Sequence, residues 1–284
     1  MRISWMNVRP AVAHYLRMIQ TLSPPELAEL SITKYRTDIY HNFYRRVVRK
    51  HRDPVIDWGE WNAFARDNVF NPRSRWDNKL LQIQRPQIGN VFVSKAEELR
   101  ESDSITTVYH EVRRRPIVSR LNVVVEKDYA GIPLYSNLVE WLSSHECVSA
   151  WKVMNPKAGA LGPDSAVIYL NDTLRGAAVL GLVAECSERI NKHLEAMSPF
   201  GLQVMGEGLY GFDVPAKEIQ EARLGIMANN TGSAGWIIAS VLSKAIVVGY
   251  QNIMKHGVPK SSQEDHLKGV LAKVLELDLT WELG

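Results

Sequence analysis

RLNVVVEKDYAG at 120–131, SAWKVMNPKAGALGPDSAVIYLND at 149–172 and SPFGLQVMGEGL at 198–209 are the stretches whose reading decides the fold. The first holds a short apolar, β-branched run, 121–126. The second holds parts of two more, 148–154 and 165–170. The third is Gly-rich yet strand-like across 202–212. Helical patterns separate them. One covers 134–142. The other opens at Asp172 or Thr173 and runs to about Met197, with Ala177, Leu180, Val183 and Ala184 apolar.

Upstream, 90–94 and 105–112 also read as strands. In 105–112, Ile105, Thr107, Tyr109 and Glu111 alternate with Thr106, Val108, His110 and Val112, as in a half-exposed strand. The N-terminal part reads as helix. Val8, Val12, Tyr15, Leu16 and Ile19 recur at helical spacing, and Ser23-Pro24-Pro25-Glu26 is a helix start capped by Ser23. Further helices are expected over 35–49 and 57–68, the latter capped by Asp57. Residues 69–89 are polar, contain two prolines and read as loop. At the C-terminal end a loop at 229–233 precedes helices 234–256 and 262–277, with a turn at 257–260. Helices first, then mixed strands and helices, predict an α+β fold rather than a doubly wound sheet. The expected organisation is a helical region, 1–89, and an α+β domain, 90–284, with a mixed or antiparallel sheet and packed helices.

The 284 residues can bury a sizeable core, and 45% apolar with 23% charged residues is a globular composition. No apolar run reaches the roughly 18 residues of a membrane span, and WIIASVLSKAIVVGY at 236–250 is interrupted by Lys244. The N-terminus lacks the apolar core and cleavage site of a signal peptide. Cys147 and Cys186 make neither a disulfide framework nor a zinc site, and fit two reduced thiols in a reducing cytosol. The net charge of +3 is uneven: residues 1–120 carry 21 Lys/Arg against 13 Asp/Glu, and residues 121–284 carry 13 against 18. A basic first part can meet an acidic or phosphorylated partner, or the two parts can complement each other within the fold.

Gly206-Glu207-Gly208-Leu209-Tyr210-Gly211 matches GxGxxG, but Pro215 follows where a helix would have to continue. It reads as a glycine-kinked hairpin, not a dinucleotide site. The eight histidines never pair at helical spacing, so no metal site is expected, and no cofactor is implied. Arg113, Arg114, Arg115 and Arg120 form a basic cluster that can hold phosphate or carboxylate, or simply solvate a loop. Aromatics do not interleave with it, so nucleic acid is not the expected partner. Lys152 stands alone in a β-like run, on the same face as Ala150 and Met154. Partial burial there would lower its pKa and make it a usable base. Tyr169, on the next central strand, can reach the same cleft. Read alone, Lys152 is first of all a surface strand lysine.

The order of these segments, and DSAVIYLND at 164–172 above all, resembles the HopA-type (HrmA-like) family of bacterial type III secreted effectors. More distantly it resembles the phosphothreonine lyases, over roughly residues 118–245. That resemblance implies a lyase-like α+β fold. It implies β-elimination chemistry: a lysine base, a histidine acid and a phosphate cage of arginines with a lysine. Lys152 matches the base and Tyr169 a site tyrosine. Arg120 matches a phosphate-binding residue, with Lys157 and Arg115 as further phosphate contacts. The histidine position is Asn122, and two expected arginines are missing from 159–164 and 235–240. Asn122 can hydrogen-bond but cannot deliver a proton as imidazolium does. The implied role is a virulence effector that binds a host protein, phosphorylated or not, in the host cytoplasm through a degenerate lyase-like cleft. The alternatives are an active carbon–oxygen lyase on phosphoserine or phosphothreonine, or a lyase-like partner in thioether-peptide biosynthesis. Either could act in the bacterial cytoplasm, since only Ser4, Thr21 and Ser23 stand where a Ser-rich secretion signal would be.

Overall fold

The structure is a computed structural model, and it describes residues 1–22, 31–44, 59–61, 63–64, 80–85, 89–95, 105–156, 164–197, 200–226 and 233–284. Its elements begin with β1 (Arg2–Ile3), α1 (Trp5–Ile19), α2 (Ile32–Ile39), β2 (Leu80–Arg85), β3 (Gly89–Lys95), β4 (Ile105–Glu111) and β5 (Ser119–Val123). They continue with α3 (Ile132–Ser144), β6 (Val148–Met154), β7 (Ala166–Leu170), α4 (Ala177–Ile190), β8 (Gln203–Gly206) and β9 (Leu209–Asp213). The last are α5 (Lys217–Leu224), α6 (Ala234–His256), α7 (Gln263–Leu279) and β10 (Glu282–Leu283). The fold is α+β, as expected. The chain groups into two compact units, each assembled from separate stretches. One is Met1–Val47, Ser198–Gln203 and Val214–Gly284; the other is Val48–Met197 and Val204–Asp213.

The second unit is built on an eight-stranded sheet of order β2-β3-β4-β6-β7-β5-β9-β8. The pairings β2–β3, β3–β4, β4–β6, β6–β7, β7–β5 and β5–β9 are all antiparallel. One face of this sheet is apolar because every second residue of its central strands is: Leu121 and Val123, Trp151 and Val153, Ala166, Ile168 and Leu170. Against it pack Leu134, Leu138 and Leu142 of α3 and Val179, Leu182, Cys186 and Ile190 of α4, spaced three or four apart so that they share a helix face. His110 joins this layer, fully buried and stacked flat on Trp151 at 4.1 Å.

The first unit is helical. The long α6 is its spine, with fifteen of its 23 residues buried. Gly235 stands where a Cβ would come within 2.6 Å of the rings of Tyr40 and Tyr44. Its bare backbone lets the π-helical turn Tyr40–Tyr44 stack on Trp236, with ring centroids 5.1 Å apart for Tyr40 and Trp236. The chain ends meet in a short parallel pair, β1 with β10.

Several expectations need correction. Leu80–Arg85 lies within the expected loop but is an edge strand, paired along its length with β3; polar residues are tolerated at an edge because one side of the ladder faces no neighbour. The helix expected from Asp172 to Met197 runs only from Ala177 to Ile190. Before it, the Asp172 carboxylate accepts from the Thr173 N–H and the Asp213 carboxylate from the Leu174 N–H. After it, residues 193–195 bond to Val124, Val125 and Glu126 instead of continuing the helix. Helix 35–49 starts earlier, at Ile32, and turns π-helical at Tyr40. Two features went unread: α5, and the pairing of the termini. Helix α6 spans 234–256 as expected, but where the apolar run 236–250 reads as too short for a membrane span, the whole helix is by length and composition able to cross a bilayer, though most of it is buried in the fold. Ser23, Asp57 and residues 45–49 lie outside the described residues.

Candidate functional site

Opposed residues on paired strands point to the same side of a sheet, so the register decides what shares the second face. One row across it is Tyr109, Lys152, Val167, Asn122 and Tyr210. The next is Glu111, Ala150, Tyr169, Arg120 and Phe212. The β6–β7 register shifts between Val148 and Ala150, a bulge that keeps Ala150 and Lys152 in step with Tyr169 and Val167. The structure therefore brings Arg120, Lys152 and Tyr169 together on one face, with Asn122 among them. Lys152 and Asn122 stand two strands apart, about 10 Å between Cα atoms at the usual strand spacing.

The Arg120 guanidinium lies over the Tyr169 ring, 4.7 Å from its centroid. Tyr169 in turn is tilted against Tyr109 at 5.8 Å. The contact of charge and ring holds the arginine without consuming its N–H donors, and is worth on the order of 1 kcal/mol. Arg120 Nε is buried and has no hydrogen-bond partner, and neither has Oδ1 of Asn122, a residue only 3% exposed. Buried polar atoms left unpaired are costly, and this face carries two of them. Lys152 is half-buried. The Tyr109 hydroxyl is pushed up to about 12, first by burial, then by Tyr169 and Glu111, with Arg120 opposing. It stays protonated at neutral pH and can donate a hydrogen bond next to Lys152.

Tyr109 escaped the sequence reading. The alternation in 105–112 placed it with Thr107 and Glu111, but no local pattern says that β4 lies beside β6. Arg115 is elsewhere, exposed in the loop before β5, where its Nη1 donates to the Glu146 carbonyl at 3.3 Å. Arg113 is also occupied: it donates to the carbonyls of Ser143, His145 and Val148 at the end of α3. Lys157 lies outside the described residues. The GxGxxG segment forms strands β8 and β9 around a two-residue turn. Gly208 there has φ +64°, and a Cβ would meet the Val124 carbonyl at 2.7 Å, so glycine suits the turn and no dinucleotide loop exists. Cys147 and Cys186 are free and buried. Burial raises both thiols, that of Cys186 to about 12, so neither is a ready nucleophile.

No protein-family model matches the chain, and no curated protein matches it. Among solved structures, an effector protein from Pseudomonas syringae pv. tomato strain DC3000 has a similar fold, with 95% of this chain and 92% of that one covered, a TM-score of 0.53 and 15% identity. An effector protein from Pseudomonas syringae pv. syringae strain 61 covers 89% of this chain and 94% of its own, with a TM-score of 0.48 and 16% identity. The phosphothreonine lyase SpvC, an effector protein from Salmonella, aligns over 64% of this chain and 91% of its own, with a TM-score of 0.35 and 10% identity. The first likeness is one of fold over nearly the whole of both chains. The other two are too remote to add weight.

Proposed function

We propose that this chain is a bacterial virulence effector that acts in the host cytoplasm by binding a phosphorylated host protein on the Arg120–Lys152 face. One observation carries this reading: Arg120, braced on Tyr169 with its Nε unpaired, shares that face with Lys152, while the residue beside Arg120 on the same face, level with Lys152, is Asn122. Fixed positive charge with an open donor suits a phosphate oxygen. An amide cannot protonate a leaving group, so elimination would be slow where binding is retained. The fold likeness to a bacterial effector, and the DSAVIYLND segment, support the same setting.

The test is calorimetry with a phosphothreonine peptide and its unphosphorylated twin, followed by mass analysis of the mixture. Saturable binding that requires the phosphate, weakens in Arg120→Ala and leaves the peptide intact is the expected result. Equal binding of both peptides, or of neither, sinks the phosphate reading.

The competing reading is an active lyase. It is favoured by the placement of Tyr109 beside Lys152, since a protonated tyrosine can assist a departing phosphate. In that reaction Lys152 takes the α-proton, the Cβ–O bond breaks, phosphate leaves and a dehydrated residue remains. A dehydrated peptide formed by the native chain but not by Lys152→Ala would establish it.

A further inference from the structure

The helical unit holds a pocket of about 240 Å³ between α2, the end of α5 and α6. Its lining includes Arg36, Arg223, Lys244 and Ser240. These come from three elements, so their donors converge from different directions. Ser240 and Lys244 are one turn apart on α6 and share a face. Helix α2 is tied to α6 by the Ser243 hydroxyl, which donates to the Ile32 carbonyl at 2.5 Å.

Arg36 is a buried cation, 8% exposed, and no carboxylate pairs with it among the described residues. Its Nη1 donates to the carbonyls of Leu224 and Gly225, at 3.4 and 2.8 Å, where α5 ends in the left-handed Gly225. A cation at that negative helix end is favourable, and explains part of its placement. It does not explain the rest. Arg36 Nε is buried without a partner, and so is the hydroxyl of Ser240, which is fully buried. The guanidinium is held against the Trp236 ring at 5.2 Å, as Arg120 is held against Tyr169. Around it, Arg223 spends Nη1 on the Leu277 carbonyl, and Lys244 pairs with Asp278 at 2.6 Å. Among the described residues, three cations against one carboxylate leave the pocket positive. Burial lowers the Arg36 pKa, the direction expected when a charge lacks its counter-ion.

We infer that this pocket binds a tetrahedral oxyanion, such as a phosphate or phosphate monoester group, on Arg36, Ser240, Arg223 and Lys244. A tetrahedral anion has oxygens for donors arriving from several directions, whereas a planar carboxylate serves donors in one plane. The Nε edge of Arg36 offers the fixed fork and Ser240 a neutral donor. This site is separate from the Arg120 face and does not depend on its reading.

The probe is inorganic phosphate, titrated calorimetrically into full-length Arg120→Ala, which silences the sheet face. One saturable site is expected, absent with acetate at the same ionic strength. In the double variant Arg120→Ala/Ser240→Ala the affinity should fall about tenfold or more, the scale of a hydrogen bond to a charged group. The melting temperature without phosphate should stay unchanged, because the Ser240 hydroxyl has no partner to lose. Arg36→Gln should abolish binding, and the Ser240 variant keeps the test valid if that protein fails to fold. No saturable phosphate binding, acetate binding as well as phosphate, or binding indifferent to Ser240→Ala would each overturn the inference.

Discussion

Trp151 and Lys152 are chain neighbours, yet they belong to opposite sides of one sheet, and the two sides obey different rules. On the Trp151 side, residues from five strands and two helices bury apolar surface against each other. On the Lys152 side lie a braced arginine, a half-buried lysine, three tyrosines and an asparagine with an unpaired carbonyl. The first face stores stability. The second carries unmet hydrogen-bonding capacity, at Arg120 Nε and Asn122 Oδ1, which lowers stability.

The largest effect should come from breaking the apolar side. Trp151→Ala empties a fully buried site and removes the surface on which His110 stacks. It should cost about 3–5 kcal/mol, read from the urea midpoint. Lys152→Ala, one residue away, should change stability by less than about 1 kcal/mol and alter only ligand behaviour. If the two variants were equally destabilised, the division of labour between the faces would be wrong.

Next is Asn122→His, which restores a proton donor beside Arg120. Elimination from a phosphothreonine peptide should rise about 10²-fold, the lower end for general acid catalysis, because other parts of a phosphate cage are missing. Mass spectrometry for the dehydrated product decides it. A rate unchanged from the native chain would mean that Lys152 does not act as a base on this face.

Smaller is Arg120→Lys. An ammonium keeps the charge but loses the fork and the guanidinium's contact with the Tyr169 ring, so phosphopeptide affinity should drop roughly tenfold, less than in Arg120→Ala. Equal affinity of the lysine variant and the native chain would show that charge alone matters there.

The smallest effect separates the faces by pH. Cys186 on the apolar side and Tyr109 on the other both titrate near 12, raised from 9.0 and 10.0. A raised folded pKa means that the folded chain holds its proton longer than the unfolded chain does. The stability tied to the neutral form is therefore intact below the unfolded pKa and is lost as pH rises to the folded one. Urea midpoints should decline from about pH 9 upward. Tyr109→Phe should make the decline between about 10 and 12 shallower without abolishing it, because Cys186 and Tyr15 are held neutral over the same range. A midpoint independent of pH across that range would contradict the burial of both groups.

Much of the fold could be read from local pattern. The run 148–154 is strand β6 as expected, and 234–256 is helix α6, because β-branched alternation and sustained helical spacing are properties of adjacent residues. The glycine-rich turn at 207–208 was also legible, since Pro215 argued against a dinucleotide loop. Leu80–Arg85 was not, because a polar edge strand is recognisable only beside its partner. Of the site, Lys152 and Tyr169 could be paired from their central strands and Arg120 from the family resemblance. Arg115 could not be placed, since whether a loop arginine serves a ligand or a backbone carbonyl depends on which helix ends beside it.

The sequence by itself therefore determined the α+β class, the identity of the central strands, and the presence of an asparagine, not a histidine, at residue 122. Each depends on residue type or on spacing along the chain. Only the tertiary structure decided that Tyr109 joins Lys152, that Arg120 rests on Tyr169, and that Arg36 and Ser240 face one pocket. Those facts rest on strand order, register and helix packing between residues tens to hundreds of positions apart, where chain entropy is overcome by burial rather than by local preference.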